Sequence, residues 1–138
     1  GMDIPEISYG PMDRSSYVRV AIILRDVNPL HLDREYARQR GFDDVVQQGP
    51  LNEAFLHRYL TDWLHQPWDL RRIKVRFVNN VFPGDTLKCR GNVVGIDNVA
   101  GEGIVKCTLW QGNQKDETIL SGEATFVLPR HQRQTDPY

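Results

Sequence analysis

The sequence predicts an α+β fold in which one long helix is followed by consecutive antiparallel strands. Between Leu51 and Trp63, apolar residues recur every four positions, which is the spacing of a helix with one buried face. From Ile73 onward, apolar and charged residues alternate, which is the spacing of a half-buried strand. Short clusters rich in Gly and Asn separate the later apolar stretches and indicate hairpin connections. Helix and strands in separate blocks are typical of the α+β class.

The first third of the chain predicts an extended segment followed by short elements. Residues 1–14 contain Pro5, Gly10 and Pro11 and predict an extended lead-in. Residues 17–24 have β-branched side chains at alternate positions, a pattern that favours a strand. Asp33 is a good N-cap for a short helix over residues 34–40, and Gly41 provides its stop.

A long helix is predicted from Pro50 to about His65, with Pro67 ending it. Its apolar stripe is wider than a surface helix needs, so we expect a sheet to wrap around it. The main members of the stripe are Leu51, Phe55, Leu56, Tyr59, Leu60, Trp63 and Leu64.

Four strands are predicted after this helix, and the chain then ends in a polar tail over residues 129–138. In the first strand, Ile73, Val75 and Phe77 should be buried, whereas Arg72, Lys74 and Arg76 should face solvent. The other strands are predicted at residues 86–97, 103–111 and 117–128, with a turn at 83–85 and hairpin connections at 98–102 and 112–116.

Composition narrows the function classes. The chain has 138 residues, of which 40% are hydrophobic and 25% charged, as in one ordinary globular domain. A net charge of −1 gives no electrostatic reason to expect a nucleic-acid or membrane partner. We expect a cytoplasmic protein, because neither a signal peptide nor a membrane-spanning run is recognisable. We also expect no metal site, and we expect Cys89 and Cys107 to be buried thiols.

Asp26 and His31 are the strongest candidates for chemistry. They are five residues apart, and on a continuous helix their side chains would diverge by roughly 140°. Pro29 makes that helix unfavourable, and a short extended loop would let both side chains face one small volume. Gly49 and Pro50 suit the N-cap and first position of the long helix, where free N–H groups favour a developing negative charge. This combination indicates proton transfer next to an enolate.

The string Asp26-x-Asn28-Pro29-x-His31, followed by Gly49-Pro50-Leu51, resembles the MaoC-like, (R)-specific enoyl-CoA hydratase family. The resemblance extends over residues 17–128. It implies a hot-dog fold, in which an antiparallel sheet wraps the long helix. It also implies a helix at residues 17–24 in place of the strand that alternation favours, and we predict the helix.

The resemblance also implies roles for individual residues. Asp26 and His31 would be catalytic, whereas Asn28, Gln48, Gly49 and Leu51 would bind substrate. Asn28 is equally well explained as a turn residue before proline. The substrate would be an acyl-CoA thioester, and coenzyme A would enter only as part of it, with no other cofactor.

The chain departs from the family at two places. Leu24-Arg25 stands where Ser-Gly is usual, and Gln48 stands where His is usual. The segments Arg25-Asp26 and 56–63 resemble the small MaoC-type subunit of steroid side-chain enoyl-CoA hydratases, which suggests a non-catalytic subunit as the alternative function.

Three further expectations concern partners and a competing reaction. A carboxylate on the central helix, here Glu53, would suit a thioesterase, a less favoured interpretation. Four cations, Arg71, Arg72, Lys74 and Arg76, either meet the phosphates of coenzyme A or form a solvated strand face, and the second interpretation is favoured. The resemblance implies a homodimer or larger homo-oligomer, with a heteromer containing another MaoC-type chain as the alternative.

Overall fold

The computed structural model describes residues 1–64 and 69–128 and places one antiparallel sheet around a central helix. The predicted helix stop at Pro67 and the tail at 129–138 lie outside the described residues. The strands are β1 (Met2–Tyr9), β2 (Leu70–Phe77), β3 (Leu87–Val99), β4 (Glu102–Gly112) and β5 (Thr118–Leu128). The α-helices are α1 (Arg14–Leu24), α2 (Arg34–Gln39) and α3 (Gly49–Leu64), and a 3-10 turn spans Pro29–His31.

The sheet has the strand order β1-β3-β4-β5-β2 with every neighbouring pair antiparallel, which confirms the predicted α+β class. The wide stripe of α3 packs onto this sheet. Leu56, Tyr59 and Leu60 are fully buried in the core. Trp63 meets Phe126 edge to face, with ring centroids 5.4 Å apart. The long helix wrapped by the sheet is the hot-dog arrangement that the resemblance implied.

Residues 2–9, predicted as part of an extended lead-in, form the edge strand β1 paired with β3, which the sequence analysis did not predict. Ile4 and Tyr9 are buried on its inner side. Pro5 falls where the ladder register shifts, between Ile4 and Ile7. A proline is tolerated in an edge strand at such an irregularity, since its missing N–H removes no regular ladder bond.

Residues 17–24 belong to helix α1, so the strand that their alternation favours is wrong and the helix implied by the resemblance is confirmed. Asp13 caps α1 by accepting a hydrogen bond from the Ser15 N–H at 2.9 Å. Tyr17 and Ala21, four residues apart, are the buried positions. The alternating β-branched residues lie partly on the exposed side, with Ile22 73% exposed.

The remaining connections follow the prediction with small shifts. Asp33 caps α2 and accepts from the N–H groups of Glu35 and Tyr36, as predicted. The β3–β4 hairpin is tighter than expected, because Ala100 and Gly101 alone form its turn with φ values of 50° and 86°. Two residues with positive φ suit the right-handed twist of the flanking strands.

Two side-chain predictions have opposite outcomes. Cys89 and Cys107 are buried free thiols, as predicted, and burial raises the pKa of both thiols to about 11. Phe77, predicted to be buried, is 53% exposed because it is the last residue of the edge strand β2. Its ring lies over Gly49. Within the described ranges, no helix combines the length and apolar character needed to cross a bilayer.

Candidate active site

The end of α1 delivers Asp26 to the site. Arg25 has a left-handed backbone with φ 52°, and its N–H donates to the carbonyls of Ala21 and Ile22. The N–H of Asp26 donates to the same Ala21 carbonyl at 3.0 Å. This pattern ends the helix and turns the chain sharply, so Asp26 is the first residue of the loop. Its side chain is 47% exposed.

The loop after Asp26 is held by its own side chains. Asp26 Oδ1 accepts from the N–H of Asn28 at 3.1 Å, and Asn28 Oδ1 accepts from the N–H of Leu30 at 3.1 Å. The second bond begins the 3-10 turn. The loop is therefore only partly extended, whereas the sequence predicted an extended loop. Such local bonds are the usual role of Asp and Asn at turns. Asn28 therefore fixes the geometry between Asp26 and His31.

The orientation of His31 is set by a backbone carbonyl. Its Nδ1 lies 2.7 Å from the carbonyl oxygen of Val46. Because a carbonyl only accepts, Nδ1 carries the proton and donates, which leaves the lone pair of the neutral ring on Nε2. Nε2 is 4.0 Å from Asp26 Oδ2, too far for a direct hydrogen bond. A water molecule bonded to both atoms fits this separation.

His31 lines a cavity of about 320 Å³ at the start of α3, which we call the His31 cavity. The cavity is lined by Leu30, His31, Val46, Gln47, Gly49, Asn52 and residues 77–80. Within the described residues, the N–H of Gly49 has no acceptor, as expected for the first turn of a helix. The structure thus brings His31 and Gly49 to the same cavity, with Asp26 beside His31.

Gly49 differs from its predicted position by one residue. Helix α3 begins at Gly49, and the carbonyl of Gln48 accepts the N–H groups of Leu51 and Asn52. Gln48, and not Gly49, therefore occupies the cap position. A Cβ on Gly49 would lie 3.2 Å from Cε1 of Phe77. The missing side chain lets the ring approach the backbone at the cavity wall.

A cluster of buried amides supports this wall, and the sequence analysis missed it. Gln47 Nε2 donates to Asn52 Oδ1 at 2.7 Å, and Gln111 Nε2 donates to the Asn52 carbonyl at 2.9 Å. Gln47 and Asn52 are 2% and 3% exposed, and both line the His31 cavity. The available signal was the pair of glutamines directly before Gly49, together with an amide near the start of an apolar helix.

Two predicted substrate-binding residues lie away from the His31 cavity. Gln48 is 1% exposed, and its Nε2 donates to the Tyr17 carbonyl at 2.8 Å, which ties α1 to the start of α3. Leu51 lines a separate cavity of about 210 Å³ together with Phe55 and Arg58. In a single chain, neither side chain is brought to the atoms of His31.

The competing candidates also lie elsewhere. Glu53 Oε1 is 3.4 Å from Nε2 of His57, one turn along α3, and Glu53 does not line the His31 cavity. Three of the β2 cations, Arg72, Lys74 and Arg76, project from the exposed face of that strand. Across residues 1–64 and 69–128, no three His, Cys, Asp or Glu side chains are grouped as metal ligands would be.

Comparison with known proteins gives this geometry a family context. Aligned over 64 residues, the chain is 36% identical to a mitochondrial hydroxyacyl-thioester dehydratase type 2 of Saccharomyces cerevisiae, an alignment covering 44% of this chain and 22% of the yeast protein. Over 99 residues it is 27% identical to the 3-oxo-4,17-pregnadiene-20-carboxyl-CoA hydratase beta subunit of Mycobacterium tuberculosis, covering 71% of this chain and 75% of that protein.

Solved structures of hydratases have the same fold as this chain. An R-hydratase from Pseudomonas aeruginosa superposes with a TM-score of 0.80 at 25% identity, covering 94% of this chain and 81% of that chain. Residues 8–111 match the family model described as MaoC like domain. That match includes Asp26, His31 and Gly49 and most of the sheet. The chain therefore belongs to the MaoC-like family, whose relatives include hydratases and dehydratases of acyl thioesters.

Proposed function

We propose that this protein hydrates 2-enoyl-CoA thioesters to 3-hydroxyacyl-CoA, or catalyses the reverse dehydration. The observation that carries the proposal is the hydrogen bond from His31 Nδ1 to the Val46 carbonyl. That bond leaves Nε2 of this cavity-lining side chain as an acceptor, 4.0 Å from the Asp26 carboxylate. An acceptor pair with room for one water molecule is what addition of water to a double bond requires.

In the hydration direction, the thioester carbonyl accepts a hydrogen bond from the free N–H of Gly49. The oxygen of a water molecule held by Asp26 and His31 bonds to C3, and the π electrons of the C2–C3 bond move toward the carbonyl. The resulting enolate is stabilised at the N-terminus of α3, where the helix dipole and the N–H favour negative charge. A donor of this kind is typically worth about 10²–10³ in rate.

Proton transfers complete the reaction. Nε2 of His31 accepts a proton from the water as the C3–O bond forms, and a proton then passes to C2, which collapses the enolate to the hydroxyacyl thioester. Asp26, half-exposed and beside His31, either shares the base role or takes up this proton from His31 and delivers it to C2, so that the proton removed from water is the one that C2 receives. A positioned acid or base contributes about 10²–10⁴. The reaction needs no additional cofactor, because the thioester already acidifies C2.

A second candidate is a non-catalytic subunit of a heteromeric hydratase. Two observations favour it: Gln48 stands where the family resemblance implies histidine, and one relative is named as a hydratase beta subunit. The retained Asp26, Asn28 and His31 favour catalysis instead. The thioesterase interpretation loses support from the structure, since Glu53 lies outside the His31 cavity, with its Oε1 3.4 Å from Nε2 of His57.

One assay separates the three candidates. The purified chain is mixed with short, medium and steroid-type enoyl-CoA thioesters, and absorbance of the conjugated double bond is followed together with free thiol. We expect the double bond to be lost without thiol release. Thiol release indicates a thioesterase. A folded chain that leaves every thioester unchanged contradicts the proposal and favours the non-catalytic subunit.

A further inference from the structure

Among the described residues, the first turn of α3 offers a substrate a single backbone donor. The N–H of Gly49 has no acceptor there, and Pro50 has no N–H. The N–H groups of Leu51 and Asn52 both donate to the Gln48 carbonyl. A carbonyl oxygen can accept two hydrogen bonds, and hydrogen bonds to it become stronger as it gains negative charge. The backbone of α3 therefore uses half of the acceptor capacity of a thioester oxygen.

The side chain of Asn52 lies close to this backbone donor. Asn52 is one turn after Gly49 on α3, and both residues line the His31 cavity. Side chains on a helix lean toward its N-terminus, so the Asn52 amide covers the turn that contains Gly49. Asn52 is 3% exposed, and a buried amide of this kind needs hydrogen-bond partners.

Two glutamines hold Asn52 in place. Gln47 Nε2 donates to Asn52 Oδ1 at 2.7 Å, and Gln111 Nε2 donates to the Asn52 backbone carbonyl at 2.9 Å. Both glutamines are buried. Because Oδ1 accepts the bond from Gln47, the other end of the Asn52 amide, Nδ2, points away from that partner. The donor group of Asn52 thus has a fixed direction.

Nδ2 of Asn52 is free and accessible. It has no acceptor within residues 1–64 and 69–128, since the amide bond to Gln47 uses Oδ1. The side-chain atoms of those ranges that are both unpaired and sealed from solvent belong to Tyr17, Gln47, Gln48 and Gln111. Nδ2 is not among them, so it is open to the space that Asn52 lines, which is the His31 cavity. Two unused donors, Nδ2 and the N–H of Gly49, therefore meet in one cavity.

We propose that Asn52 Nδ2 is the second donor to the thioester oxygen, together with the N–H of Gly49. This inference rests on the proposed hydratase function and adds a catalytic residue to it. As water adds to C3, the π electrons of the C2–C3 bond move onto the oxygen, and both hydrogen bonds strengthen. No proton leaves Asn52, because a neutral amide does not titrate. Gln47 is a positioning residue, since its bond to Oδ1 keeps Nδ2 turned toward the oxygen.

A purely structural role for Asn52 makes different predictions. The bonds from Gln47 and Gln111 both stabilise the start of α3, but neither of them uses Nδ2. A structural role therefore predicts that Asn52 variants lose stability and keep enolate stabilisation in the chains that fold. A donor role predicts the loss of enolate stabilisation in folded chains.

The test follows an enolate on the protein without requiring turnover. The probe is 3-oxobutanoyl-CoA, whose acidic C2–H gives an enolate with its own ultraviolet absorbance. We expect wild type to raise the ratio of enolate to keto form in the bound probe above that of the free probe at the same pH. Asn52→Leu has a similar volume and no donor, so it should lower this enolate ratio at least about tenfold. With enoyl-CoA, it should lower kcat by about 10²–10³ and change KM by less than about threefold.

Asn52→Asp covers the case in which Asn52→Leu fails to fold. Its carboxyl group still accepts from Gln47, but an ionised oxygen replaces Nδ2 and repels the enolate. The enolate ratio should therefore lie furthest below that of wild type at high pH. The deficit should shrink as the pH falls, because a protonated carboxyl group is again a donor. Loss of stability alone would not produce this pH profile in folded protein.

The matched control is Asn113→Asp. Asn113 is also buried, and its Oδ1 accepts from the N–H groups of Lys115 and Glu117, but it does not line the His31 cavity. This variant makes the same chemical change at a buried asparagine and should keep the wild-type enolate ratio. A loss equal to that of Asn52→Asp would mean that added charge, and not the missing donor, lowers the ratio, and it would overturn the proposal.

Two further outcomes decide against Asn52 as a donor. One is a folded Asn52→Leu or Asn52→Asp chain that binds the probe with the wild-type enolate ratio at every pH. The other is a wild-type chain that binds the probe without raising its enolate ratio. The hydratase function fails separately, when enoyl-CoA thioesters stay unchanged although the enolate ratio responds to Asn52.

Discussion

At the scale of single residues, the tautomer of His31 decides which atom can move a proton. Asp26→Asn keeps an oxygen for the Asn28 N–H but loses the carboxylate, and His31→Ala removes Nε2. If the proposed mechanism is right, each change should lower the hydration rate by at least about a hundredfold. Asp26→Asn should leave the melting temperature nearly unchanged, whereas His31→Ala also loses the Val46 bond, worth about 1 kcal/mol.

The matched control is His57→Ala. Within residues 1–64 and 69–128, His57 is the other histidine with a carboxylate neighbour, yet it lies outside the His31 cavity. Steady-state rates and urea unfolding are measured for all three variants. Wild-type turnover in Asp26→Asn or His31→Ala would show that the pair is not catalytic. A comparable loss of hydration rate in His57→Ala would indicate that His57 on α3 contributes to the reaction.

Gln48 tests whether the departure from the family matters. An imidazole at this position can still donate to the Tyr17 carbonyl, and it adds a group that titrates. We therefore expect Gln48→His to preserve or raise hydratase activity. Gln48→Ala, the control, leaves the buried carbonyl unpaired and should lower the free energy of unfolding by about 1–3 kcal/mol. A large loss of kcat in a stably folded Gln48→His chain would assign Gln48 a role of its own.

At the scale of elements, the end of α1 shows why the family pattern has glycine before the aspartate. Arg25 adopts φ 52°, a conformation that costs a residue with a Cβ about 1–2 kcal/mol. Arg25→Gly should therefore raise the free energy of unfolding by up to about 1 kcal/mol, after the entropy cost of glycine. Arg25→Ala keeps the Cβ and should give no gain. Urea unfolding of both variants distinguishes relief of backbone strain from loss of the arginine charge.

A comparison of the other elements shows which structures can be predicted from local sequence patterns. Asp33, Gly41 and the stripe of α3 act within a few residues, so their structures could be predicted from local spacing. The β1 strand could not, because it forms by pairing with β3, where the partner of Ile4 is Gly91, far along the chain. The prediction that Phe77 is buried was wrong for a similar reason, since alternation along a strand cannot show whether that strand lies at the edge of its sheet.

The candidate site also contains both residues that could be predicted from the sequence and residues that could not. The pair Asp26 and His31 was predictable, because Pro29 limits the loop between them and the motif resembles a known family. The cluster of Gln47, Asn52 and Gln111 was not, because the bond from Gln111 joins α3 to strand β4, 59 residues after Asn52. Whether Gln48 and Leu51 contact substrate stays a prediction, since neither lines the His31 cavity of the single chain.

At the scale of the whole molecule, the His31 cavity lies at the end of the edge strand β2. Residues 77–80 continue β2 into the cavity wall, and Phe77 and Val78 are about half-exposed there. A strand paired with β2 would cover these side chains and reduce water access beside Gly49. Excluding water strengthens electrostatic stabilisation of an enolate. Assembly and activity should therefore be coupled.

We accordingly expect the hydration rate per chain to rise with protein concentration and to follow the fraction assembled through β2, if the chain is a hydratase. Rates and sedimentation mass are measured on the same samples across about three decades of concentration, since association follows mass action. A rate per chain that stays constant while the mass rises from the 15.9 kDa of one chain toward twice that value would contradict the coupling.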